Sequence, residues 1–310
     1  MVKQNCRLVY GKTLVELGTR NERIVVLEAD LGKSTMTSLF QEVFPERYFE
    51  MGIAEQNMVS TAAGLAISGK IPFVNSFAVF STGRVYDQIR QSICLGKVNV
   101  KIMGSSCGLS DFSDGATHQG IEDIALMRVL PNMTVLAPVD GIETKKVIEA
   151  AVDYEGPVYI RLNRNEIPDM TCESDKFLIG MPSIIRQGND ITVFANGYMV
   201  WEAMKAAITL EKEGISVRVV NVSSLKPVNE IAIRDLSAGM KGIITIEEHS
   251  IIGGLGSLIT FILRGWPIPI ECLAINDQFG QSALTYESLL GYYHLNEKEV
   301  VKTAKRIISY

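Results

Sequence analysis

Short β-branched runs punctuate the first half of the chain: Ile24-Val-Val-Leu-Glu, Ile71-Pro-Phe-Val, Val98-Asn-Val-Lys-Ile-Met, Thr134-Val-Leu and Val158-Tyr-Ile. Between them lie amphipathic or Ala-rich stretches of helical period. This alternation predicts an α/β fold, a mostly parallel sheet covered by helices. From about Pro168 the pattern lapses into a connector containing Pro, Gly and Asp. It resumes with Ile191-Thr-Val-Phe-Ala, Ser216-Val-Arg-Val-Val-Asn-Val, Gly242-Ile-Ile-Thr-Ile and Ile268-Pro-Ile-Glu-Cys. The pattern divides the chain into a first α/β domain at residues 1–167, a linker at 168–188, and a smaller α/β domain at 189–310.

Composition agrees with two self-sufficient cores. A chain of 310 residues with 47% hydrophobic positions buries enough surface without a metal or disulfide scaffold. The net charge of −5 is dispersed, with no run of like charges, which argues against a nucleic-acid arm and a polybasic membrane patch. Five cysteines, none in a C-x-x-C pair, fit a reducing compartment, and cytoplasm is the expected location. The segment Met1-Val-Lys-Gln-Asn-Cys-Arg is polar where a signal peptide is apolar. The greasiest stretch, Leu255 to Leu263, falls well short of the ~20 residues that span a bilayer.

In parallel sheets, ligands gather beyond the carboxyl ends of the strands, where loops and helix N-termini converge. Position alone therefore selects Asp30, Ser34, Glu55, residues 77–82, the loop from Gly104 to His118, and Arg164. Glu55 opens Glu55-Gln-Asn-Met-Val-Ser-Thr-Ala-Ala-Gly-Leu-Ala, and a carboxylate in the first turn of a helix is favoured by the macrodipole whatever else it does. Phe77 and Phe80 close the following strand, where they serve either the core or a planar ligand. The loop Gly104-Ser-Ser-Cys-Gly-Leu-Ser-Asp-Phe-Ser-Asp-Gly-Ala-Thr-His-Gln-Gly is long and polar, and such loops in compact domains are usually functional. It places His118 at a helix entrance, four residues after Asp114.

Together these parts are more specific than any of them alone. Ile53-Ala-Glu-Gln-Asn-Met, Phe77 and Phe80, Asp87-Gln-Ile-Arg and Ser113-Asp-Gly-Ala-Thr-His-Gln-Gly-Ile-Glu-Asp resemble the pyrimidine-binding domain of thiamine-diphosphate transketolases, from about Arg7 to Arg164. The second domain, with Glu247-Glu-His and Gly253-Gly-Leu-Gly, is similar to that family's C-terminal domain. The resemblance implies that Glu55 bonds the ring nitrogen of the cofactor's aminopyrimidine and thereby promotes loss of the thiazolium C2 proton. Such a carboxylate is expected in apolar surroundings. It further implies that Phe77 and Phe80 stack on the pyrimidine, that Asp30 borders the cofactor, and that Asp114 and His118 hydrogen-bond the sugar. Arg7, Ser34, Ser106 and Arg164 would meet a terminal phosphate, with arginine suited to bidentate contact. Glu55 and His118 are the expected catalytic residues.

Two positions depart from the family pattern. Ser106 stands where many members have a phosphate-contacting histidine, and Gly83 where several have a third aromatic. The Gly-Asp-Gly…Asn segment that anchors diphosphate through a metal is missing; Val139-Asp-Gly-Ile with Asn163 and Asn165 imitates it but reads as a strand-to-helix turn. Gly253-Gly-Leu-Gly likewise lacks dinucleotide spacing. The chain thus resembles the C-terminal subunit of a split transketolase. An N-terminal partner subunit would hold the diphosphate and a Mg²⁺ or Ca²⁺ ion, in an assembly of two copies of each chain with a contact between copies of this one. Sugar phosphates are the expected substrates. The beta subunit of a 2-oxoacid dehydrogenase, a deoxyxylulose-phosphate synthase-like enzyme and a non-catalytic regulatory subunit remain as alternatives.

Overall fold

The computed structural model describes residues 2–309. In the first half the strands are β1 (Lys3–Asn5), β2 (Ile24–Glu28), β3 (Tyr48–Glu50), β4 (Ile71–Phe77), β5 (Lys101–Ser105), β6 (Thr134–Leu136), β7 (Val158–Arg161) and β8 (Glu166–Pro168). In the second they are β9 (Ser183–Arg186), β10 (Ile191–Ala195), β11 (Val217–Asn221), β12 (Ser224–Lys226), β13 (Gly242–Ser250) and β14 (Ile270–Ile275). The larger sheet has seven strands in the order β12-β6-β7-β5-β4-β2-β3. All of its pairings are parallel except that of β12 with β6. The second sheet runs β14-β13-β10-β11-β9, and only its edge strand β9 is antiparallel. Every residue of β2, β4, β5 and β7 is buried, which explains why these strands read as unbroken apolar runs rather than alternations.

The expected two-domain α/β architecture is present, but the linker is shorter than 168–188. Pro168 closes β8 against Lys3 of β1. Residues 183–186 form β9, the edge strand beside β11. That segment, Ser-Ile-Ile-Arg, is too short and too open to solvent to show a hydrophobic period, so nothing in the sequence separates it from the connector. The halves are also interwoven: β12 leaves the second domain and pairs with β6, extending the first sheet by one strand.

The second domain grips the long loop between β5 and the helix Asp123–Val129. Glu248 accepts a bond from the Leu109 amide at 3.2 Å, and its own carbonyl receives Arg161 Nη2 at 2.6 Å. Farther along, Gln119 Nε2 donates to the Gln281 carbonyl at 3.1 Å and the Ala283 amide to the Phe112 carbonyl at 2.8 Å. Gly108 has φ +58, and a Cβ there would lie 2.7 Å from that of Glu248, so only glycine permits this approach.

Candidate active site

The helix Glu55–Ile67 buries Met58, Val59, Ala62 and Ala63 and leaves Glu55 at its first turn only 3% exposed. Ala54 offers no side-chain cap. The carboxylate does not sit in wholly apolar surroundings as expected: Arg84 Nη1 reaches its Oε1 at 2.6 Å. Strand β4 ends at Phe77, the helix Ala78–Thr82 carries Phe80, and Gly83 keeps helical dihedrals (φ −66°, ψ −51°). Arg84 therefore lies one turn beyond Phe80, with its guanidinium carbon 4.4 Å from the ring centroid. Phe77 and Phe80 are nearly parallel, 15° apart with centroids at 6.2 Å. His118 stands edge-on to both, at 6.2 and 5.4 Å.

This wall fits an aminopyrimidine. Arg84 is a flat cationic group that already rests on Phe80 while donating N–H to Glu55, the two contacts such a ring requires. Sequence reasoning missed Arg84. Its signal is the four-residue spacing from Phe80, which is informative only once the helical turn is known to continue through Gly83.

The loop bearing Asp114 and His118 is tightly turned, with positive φ at Ser106, Gly108 and Gly115. His118 Nδ1 lies 2.9 Å from the Thr117 hydroxyl. The expected helix entrance at His118 is not realised. The helix begins at Asp123, where a buried Oδ2 takes bonds from Arg161 Nε at 2.8 Å and Tyr159 OH at 2.7 Å. Asp30, exposed at the end of β2, adopts φ +60, and its amide is held by Glu50 Oε1 at 2.8 Å.

The structure brings Arg7, Ser34 and Arg164 together, but not as a row of free donors. Arg7, 8% exposed, gives Nη1 to the Ser34 carbonyl at 2.6 Å and Nη2 to the Arg164 carbonyl at 3.2 Å. Burial, with Arg164 nearby, pulls its guanidinium down to about 10. Arg164 Nη1 bonds Asp111 Oδ2 at 2.5 Å. Burial pushes the Asp111 carboxyl up while Arg164 opposes that rise; Asp114 and His118 also act on it, which ties this cluster to the loop. Ser106 is fully buried, and among the described residues its hydroxyl has no partner. Asp111 was the other residue overlooked, since three residues from Asp114 it reads as ordinary loop polarity.

The metal-like imitation is structural. Asp140 caps the helix Gly141–Asp153 through the Glu143 amide and binds the Met170 and Thr171 amides, while Asn163 serves Glu248 and Tyr286. Glu247 accepts the Leu255 and Gly256 amides, making Gly253-Gly-Leu-Gly a strand-to-helix turn.

Comparison with known proteins gives the family of the chain. The family model for the transketolase pyrimidine binding domain matches residues 2–170, and that for the transketolase C-terminal domain matches residues 180–300. A putative transketolase C-terminal section from Methanocaldococcus jannaschii is 43% identical over 97% of this chain and 95% of its own length. A 6-deoxy-6-sulfo-D-fructose transketolase subunit, SqwH, from a Clostridium species is 38% identical over 97% and 94%. A solved split gene transketolase, described as an inactive beta4 tetramer, superposes with a TM-score of 0.88 at 44% identity, covering 98% of both chains. The chain belongs to the transketolase family and joins that family's pyrimidine-binding domain to its C-terminal domain.

Proposed function

We propose that the chain is the C-terminal subunit of a split transketolase that transfers a two-carbon ketol unit from a ketose to an aldose. The observation that carries this reading is a buried carboxylate, Glu55, set beside stacked Phe77 and Phe80 with His118 edge-on to both. Glu55 would hold the aminopyrimidine ring nitrogen and share a proton there, Phe77 and Phe80 would flank the ring, and Asp30 would border it. When bound, thiamine diphosphate supplies the electron sink for breaking and making the carbon–carbon bond. Asp114 and His118 would orient the sugar through hydrogen bonds to its oxygens, and the Arg164 cluster would receive its far end. A partner chain would hold the diphosphate and its metal. The similar solved protein is described as a split gene transketolase in an inactive beta4 tetramer, which supports a division of labour of this kind.

The test is reconstitution with an N-terminal partner, reading both cofactor binding and ketol transfer. Glu55→Gln should abolish most turnover while the two chains still associate. Near-normal turnover of that variant would refute the assignment.

A further inference from the structure

Glu248 belongs to β13 of the second domain and is buried, yet its carboxylate holds two segments of the first domain at once. Oε1 accepts the Leu109 amide at 3.2 Å, near the start of the loop that bears Asp114 and His118. Oε2 accepts Asn163 Nδ2 at 3.2 Å, one residue before Arg164. Asn163 is fixed on both sides: its Nδ2 also donates to the Tyr286 hydroxyl at 2.9 Å, and its Oδ1 receives the Asn165 amide at 2.8 Å. Arg164 thus sits in the middle of a pinned turn. Both oxygens of Glu248 face N–H donors, an arrangement that suits an acceptor-only carboxylate. Burial pushes this carboxyl up, and Arg161, the Tyr286 hydroxyl, the Leu109 amide and Asn163 oppose that rise.

We propose that Glu248 is a positioning residue: from the second domain it fixes the spacing between the loop bearing Asp114 and His118, which meets the ketose near its reacting end, and the Arg164 turn, which meets its far end. This rests on the ketol-transfer reading above. The near end has a seat of its own, because His118 stands edge-on to Phe77 and Phe80, contacts in which Glu248 takes no part. Arg164 has no such seat on the wall. Its side chain is 34% exposed and pairs with Asp111 of the loop, so its distance from the wall is set by the turn that Glu248 pins. A ketose that spans both ends feels this spacing, and a short one does not.

The test uses the reconstituted two-chain enzyme and compares kcat/KM for a six-carbon ketose phosphate, long enough to reach Arg164, with that for a four-carbon ketose, which is not. Glu248→Gln turns one carboxylate oxygen into a donor, so it opposes either Leu109 or Asn163 and keeps the other bond. The ratio of long to short donor should fall by about ten-fold, inside the range that a misplacement of roughly 1 Å produces. The Kd for thiamine diphosphate should hold at its wild-type value, because Glu55, Phe77 and Phe80 stand on other elements. A loss shared alike by both donors, or a weakened cofactor Kd, marks a merely structural role and overturns the proposal. Arg164→Met should lower the same ratio, and adding Glu248→Gln to it should lower it no further, since both act on one contact; additive losses also overturn the proposal. Tyr286→Phe keeps the ring in place and removes the hydroxyl that bonds Asn163 and Glu248, so it decides the matter if Glu248→Gln does not fold. A lowered ratio in that variant supports the proposal, and an unmoved one overturns it. Absence of ketol transfer from both donors in the wild type would refute the parent reading instead.

Discussion

Arg84 should compete with the cofactor for its seat. Its guanidinium makes both contacts that the aminopyrimidine needs, a 2.6 Å bond to Glu55 and a stack at 4.4 Å on Phe80. The side chain is 44% exposed, so the ion pair is screened and worth about 0.5–1 kcal/mol. The cation–π contact adds about 0.5–1 kcal/mol. Displacing both therefore costs about 1–2 kcal/mol, equivalent to roughly 5–30-fold in an equilibrium constant. Arg84→Met keeps an apolar stem over Phe80 while removing the competing donors. In the reconstituted complex its Kd for thiamine diphosphate, followed by fluorescence titration, should tighten by roughly 5–30-fold. The same variant should lower folding stability by about 1–3 kcal/mol, because Glu55 stays buried without its partner. An unchanged or weaker Kd would show that Arg84 supports cofactor binding and would refute the competition argument.

The buried Asp123–Arg161 pair anchors the start of the helix that follows the loop bearing Asp114 and His118, and Arg161→Met should cost about 3–5 kcal/mol in chemical denaturation. Gly108→Ala forces a Cβ against Glu248 at positive φ, so it should destabilise by about 1–3 kcal/mol and increase amide exchange in residues 106–120. Burial raises Glu143 from 4.5 to about 7, above its unfolded value, so the folded state binds its proton more tightly. Its stabilising contribution is thus complete below pH 4.5 and lost as pH rises toward 7, by up to ~1.4 kcal/mol per unit. Denaturation of wild type and Glu143→Gln across that range should differ by this slope; parallel curves would exclude it.

The parallel strands were legible because burial on both faces leaves β-branched runs that a single sequence displays openly, as at Ile24–Glu28 and Ile71–Phe77. Glu55, Phe77, Phe80 and His118 were legible through motif, and the fold gathers them on one wall. Ion-pair partners were not. Arg84 meets Glu55 across 29 residues and Asp111 meets Arg164 across 53, and charge–charge contacts at such separations have no local period. Arg7 was chosen for its charge, but its use is fixed by two carbonyls that only the folded backbone brings near. The strands β9 and β12 escaped for a related reason: each is short, and its place is set by the sheet edge it joins rather than by its own residues.

The pairing of β12 with β6 bears on how such a chain can be divided or recombined. Severing the polypeptide in the connector would separate the family-defined halves yet strip the first sheet of its outermost strand. The backbone of Thr134–Leu136 would then present open donors and acceptors to any neighbouring molecule, a common route to aggregation. Grafting the amino-terminal half onto another scaffold calls for a substitute covering segment, and the visible domain boundary is a poor guide to where heritable or engineered exchange can occur.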